Sequence, residues 1–154
     1  MPTIELISID CPEAPPLPRY PTFACRTEQD LVSRRGLFQP TFDELSGVMV
    51  NLANKELEGA KGAPYAGTVM DWPCDDALLF RSETRDDVMD LMQRLLEASP
   101  RHCLAFAAEY QFGGERRECG EVSLSEFFQL HDSHALRYNC LWYVRSDSRN
   151  GNGH

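Results

Sequence analysis

Apolar side chains fall at Val88, Leu91, Met92, Leu95 and Leu96, a spacing of i, i+3, i+4, i+7 and i+8 that turns them all to one side of an α-helix. This stripe constrains the chain more than any other feature, because the period changes to two on both sides of it. Thr84-x-x-Asp87 has the form of a capping box at its start, and Ser99-Pro100 stops it. After the helix, residues 103–110 alternate large side chains (Leu104, Phe106, Tyr110) with small ones (Ala105, Ala107). Gly113-Gly114 then fits a two-residue hairpin turn into residues 115–122. Ser123-x-x-Glu126 is a full capping box opening a second helix with Leu124, Phe127, Phe128 and His131 on one face. Residues 138–145 are apolar on both faces, as an interior strand requires. From residue 77 onward the order is strand, helix, strand, strand, helix, strand. That order predicts a ferredoxin-like βαββαβ half over 77–145, within an α+β domain whose antiparallel sheet carries both helices on one face.

The first half is less regular. Residues 3–9 read as a strand, and Pro12, Pro15, Pro16, Pro18 and Pro21 make residues 12–21 a stiff, extended connection. Pro12-x-x-Pro15 and Pro15-x-x-Pro18 also have the form of a proline-motif ligand, set against the simpler role of a spacer. Residues 22–26 read as a short strand. Over 41–57 two patterns compete: Thr41-x-x-Glu44 with Phe42, Leu45, Met49 and Leu52 has helical spacing, whereas Gly47, Val48 and Val50 suit a turn passing into a strand. Residues 68–72 and 77–81 read as a hairpin around Cys74. The N-terminal strands are expected to extend or cover the sheet, giving one domain over 1–145, and residues 146–154 form a polar tail expected to be disordered.

The 154 residues carry a formal charge of −9, whose field repels phosphate backbones and anionic membranes and favours a basic protein partner. Nucleic acid and membrane are therefore not expected partners. No apolar run is long enough to cross a bilayer, and Met1-Pro2-Thr3-Ile4-Glu5 lacks the basic and apolar regions of a secretory signal. The expected location is the cytoplasm, with the six cysteines reduced. Cys25, Cys103 and Cys140 lie in apolar runs and read as core, while Cys11 and Cys74 lie in polar, acid-flanked loops that disfavour a thiolate.

No phosphate-binding, dinucleotide-binding, zinc-protease or nucleophile-elbow motif occurs. One cluster has chemical potential. His131-Asp132-Ser133-His134 places two imidazoles three residues apart, where they can share a helix face and, with Cys140, hold a divalent metal; His131, Asp132 and His134 are equally the catalytic candidates of an acid-base site. The structural alternative makes His131 a continuation of the Leu124, Phe127, Phe128 stripe and His134 a cation at a helix C-terminus. Asp10, Asp71, Asp75 and Asp76 could gather around a cation, or form solvated turns. Trp142 and Tyr143 read as core. No cofactor is predicted. The leading functional expectation is a non-catalytic binding module, inhibitor- or immunity-like, for a basic partner. The alternatives are a small enzyme built around His131 and His134, and a ligand-sensing homodimer.

Overall fold

The computed structural model describes residues 2–28, 45–60, 62, 64–73, 77–110 and 117–147. Six strands form one sheet: β1 (Pro2–Ile9), β2 (Phe23–Glu28), β3 (Gly47–Asn54), β6 (Cys103–Tyr110), β7 (Arg117–Ser123) and β8 (Cys140–Arg145). Two-residue strands β4 (Met70–Asp71) and β5 (Leu79–Phe80) pair separately, and the helices are α1 (Ser82–Ala98) and α2 (Leu124–Asp132). The sheet order is β2-β3-β1-β6-β8-β7, antiparallel throughout except for β7 and β8. The N-terminal strands thus extend the sheet. No helix among the described residues is long and apolar enough to cross a membrane.

The strand order departs from the ferredoxin-like expectation at two places. The strand following Ala77 is only β5, paired with β4 outside the main sheet. And β6 and β7 are not neighbours, because β8 lies between them, antiparallel to β6 and parallel to β7. The expected hairpin pairing through Gly113-Gly114 is therefore replaced by a β7-α2-β8 crossover; the turn itself lies outside the described residues. Side-chain character explains the exchange. β8 contributes Leu141, Trp142, Tyr143 and Val144 to both faces and gains by lying inside the sheet, whereas β7 is exposed from Arg117 to Gly120 and belongs at an edge. A register shift between Glu118 and Gly120, where Gly120 has φ 121°, further blunts that edge.

Strand β1 is buried along its whole length, which fixes the sheet's centre. Ile4 and Leu6, with Val50, Leu52, Leu104 and Phe106, form one core with Val88, Leu91, Leu95, Phe127 and Phe128 of the helices, so both helices lie on one face. Each such side chain contributes about 1.5–3 kcal/mol by leaving water. Two hydrogen bonds tie α1 to β1 across this layer: Ser8 Oγ donates to the Leu95 carbonyl at 2.7 Å and Ser99 Oγ to the Ile9 carbonyl at 2.6 Å. The opposite face carries a second cluster, Ile7, Ile9, Met49, Ala105, Ala107 and Leu141. Beside it on that face lies a polar row in which Arg26, Asn51 and Glu5 pair in register across β2, β3 and β1.

Local expectations fare unevenly. Ser123 opens α2 with both capping-box bonds: the Glu126 amide donates to Ser123 Oγ and the Ser123 amide to Glu126 Oε1. Thr84 does not cap α1: the helix begins at Ser82, and the buried Thr84 hydroxyl donates to Thr22 Oγ1 instead. Residues 47–54 are strand, followed by a 3-10 turn at Lys55–Leu57; Thr41 to Glu44 lie outside the described residues. Cys11 is buried in the main core, not solvated, and Cys140 is buried while Cys25 and Cys103 are half-buried; Cys74 lies outside the described residues. Within the expected tail, Ser146 is buried and Asp147 accepts hydrogen bonds from the Ser125 amide and hydroxyl; residues 148–154 lie outside the described residues.

Candidate functional site

His131 sits in the last turn of α2, where the stripe that buries Phe127 and Phe128 carries it inward to 2% exposure. Its Nε2 accepts the Phe80 backbone N–H at 2.9 Å, which places the ring proton on Nδ1, and that group donates to Asp132 Oδ1 at 2.8 Å. Arg85 of α1 completes the set with a two-pronged bond to Asp132, 2.9 Å from Nε and 2.6 Å from Nη2. Burial pushes the His131 imidazole below its ordinary pKa despite the opposing pull of Asp132. Asp132 is held down to about 2, chiefly by the Arg85 guanidinium. His131 is thus a neutral ring with both nitrogens committed: it satisfies β5's backbone and stacks on Phe80 at 5.4 Å.

The remaining candidates are not drawn into the same set of bonds. His134 is exposed, past the end of α2 with φ 61°, and its carbonyl accepts from Arg137. Cys140 is buried in β8, and burial pushes its thiol up to about 12, the wrong direction for a nucleophile or metal-ligating thiolate. Among the described residues no group of three or more His, Cys, Asp or Glu side chains has an arrangement able to hold a metal ion. Asp10 bonds Ser46 and faces Arg101 at 3.6 Å, while Asp71 takes up the Trp72 amide; Asp75 and Asp76 lie outside the described residues.

A different feature stands out on the surface. Trp72, just after β4, is 48% exposed and is the one large apolar side chain among the described residues left in solvent. It lies nearly parallel to Tyr138, centroids 5.8 Å apart, and edge-on to Tyr110 at 5.7 Å, while Tyr110 and Tyr138 meet edge-on at 5.6 Å. Asn139 fixes this platform. Its φ of 61° is one that Asn tolerates, its Oδ1 accepts the Tyr110 amide, and its carbonyl accepts the Arg117 amide. The Asp71 carboxylate accepts the Trp72 backbone amide at 2.8 Å. The sequence reading places Trp72 at the end of a hairpin strand over 68–72, whereas the paired strand stops at Asp71, and the only local signal was the flanking Asp71 and Pro73.

Comparison with protein-family models, curated proteins and solved structures finds no match.

Proposed function

We propose that this chain is a non-catalytic binding protein, inhibitor- or immunity-like in kind, whose partner presents arginine or lysine side chains to the Trp72 platform. The observation that carries the reading is an indole held exposed by two tyrosines on a molecule of charge −9. Tryptophan is the best aromatic receptor for a cation, and a rigid aromatic anchor at a surface is what interface hot spots use. The excess of carboxylates steers a basic partner in and repels nucleic acid. Free thiols at Cys11, Cys25, Cys103, Cys119 and Cys140 suit a reducing compartment such as the cytoplasm. The committed nitrogens of His131 give the enzyme reading no comparable support.

The test is titration with arginine-rich peptides and their citrulline counterparts, read by indole fluorescence and calorimetry. Binding of the arginine peptides should weaken with salt. Trp72→Ala, which leaves the charge untouched, should weaken it about thirtyfold, in line with a hot-spot loss of about 2 kcal/mol. Equal binding by Trp72→Ala, or by the citrulline peptides, would sink the reading.

A further inference from the structure

Strand β2 ends the sheet, pairing with β3 and with no other strand among the described residues. Which of its main-chain groups point outward follows from its partner. At the two ends of β3 the Ser46 carbonyl accepts the Asp10 N–H, and the Asn54 N–H donates to Tyr65, which bridges Thr3 of β1. A strand residue turns its N–H and C=O the same way, and the direction alternates along the chain. Val48, Val50, Leu52 and Asn54 therefore turn theirs to β1, and Met49, Asn51 and Ala53 turn theirs to β2. By register Ala24 and Arg26 are the residues bonded to β3, while Phe23, Cys25 and Thr27 direct their main-chain groups away from the sheet. The opposite edge is blunted by a register shift in β7 and by exposed charges at Arg117 and Glu118. β2 keeps an unbroken register and contains no proline.

The same three residues line a cleft of about 340 Å³ whose other wall is Pro15, Leu17 and Pro18. That wall is fastened in place. Tyr20 donates to Asp90 of α1 at 2.8 Å, Lys55 donates to the Tyr20 carbonyl at 2.7 Å, and Arg19 binds Glu58 through Nε and Nη2. The stiff proline segment thus forms one side of a ready-made slot along a sheet edge. We propose that this slot takes an extended segment of a partner protein, added to β2 as a further strand, with apolar side chains at alternate positions. Three outward residues spaced by two cover about 13 Å of strand and offer donors and acceptors at the repeat of another extended chain. The added strand's side chains on the cleft side lie against Pro15, Leu17 and Pro18, which match apolar groups. A second copy of this chain is disfavoured as the occupant, because each copy carries a charge of −9. The slot is separate from the Trp72 platform, since β2 lies three strands from the β6 strand that holds Tyr110.

The probes are end-capped peptides of about seven residues, with valine, isoleucine, leucine or phenylalanine at alternate positions and lysine at both ends, titrated to about 1 mM. Calorimetry and residue-resolved amide exchange read the binding. In the free protein the Phe23, Cys25 and Thr27 amides should exchange fast and those of Ala24 and Arg26 slowly, and bound peptide should slow the first three. N-methylation of one alternate set of peptide amides should weaken binding about tenfold or more, and of the other set should leave it. Cys25→Pro and Thr27→Pro, where the N–H points outward, should keep the fold and lose binding by a similar factor; the methylated peptides decide the matter if a proline variant does not fold. Trp72→Ala should bind these peptides as the wild type does, so that this site and the platform fail separately. Slow exchange of the Phe23, Cys25 and Thr27 amides in the free protein would overturn the proposal, at every concentration because the chain covers its own edge, or only at high concentration because a second copy does. So would a lack of saturable binding by every peptide, or binding indifferent to methylation of either set.

Discussion

At the scale of single residues, His131 shows how one side chain can serve a backbone. Its removal in His131→Ala leaves the Phe80 N–H buried without an acceptor and opens a void beside Phe80 and Phe128, so about 3 kcal/mol of stability should be lost in urea unfolding. The pH dependence follows from the same burial. The folded-state pKa lies below the unfolded value of 6.5, so the unfolded chain takes up a proton first. Stability is complete above pH 6.5 and declines as the pH falls from there towards the folded value; Asp132 adds a second decline from 3.8 towards about 2. Urea midpoints at pH 7 and pH 5.5 should differ in the wild type and draw together in His131→Gln. Much of this was legible: the stripe of Leu124, Phe127 and Phe128 points His131 inward. Its partner was not, because nothing in the sequence brings Phe80 and Arg85 to residue 131 before the chain is folded. Cys11 misled in the opposite way, since an Asp10-Cys11-Pro12 turn reads as solvated yet tucks under the core.

Among the elements, those with strong period and a local stop signal were legible, and those decided by neighbours were not. The repeat from Val88 to Leu96 and the Ser123 capping box predicted α1 and α2 within a few residues. The polar positions Glu5 and Asn51, which alternate with apolar ones, would face water in a sheet with one open face; here both are fully buried, and periodicity cannot reveal that. Gly47 has a sharper role than sequence suggested. With φ 138° it starts β3 against β1, and a Cβ there would lie 2.0 Å from the Ser8 carbonyl oxygen. Gly47→Ala should therefore force the strands apart and cost about 3 kcal/mol or more, seen as a lowered urea midpoint. Ser123→Ala, which removes only the cap, should cost about 1 kcal/mol by the same measurement.

For the whole molecule, the place of β8 between β6 and β7 was the feature that the order of elements alone could not reveal. A strand–helix–strand sequence allows its two strands to be adjacent or separated, and only the polarity of β7 against the apolarity of β8 tips the balance. Native-state hydrogen exchange should report this arrangement directly, with the slowest amides in β1, β3, β6 and β8 and faster exchange along the exposed edge β7. The same arrangement governs synthesis on the ribosome. β1 is made first, yet Pro2 must wait for Tyr110 before one flank of that apolar strand is closed, and β7 leaves the ribosome ahead of β8, with which it pairs. A nascent chain of this protein therefore carries an unfinished, sticky sheet until residues 140–145 emerge, and it is during that interval that it would call on chaperones.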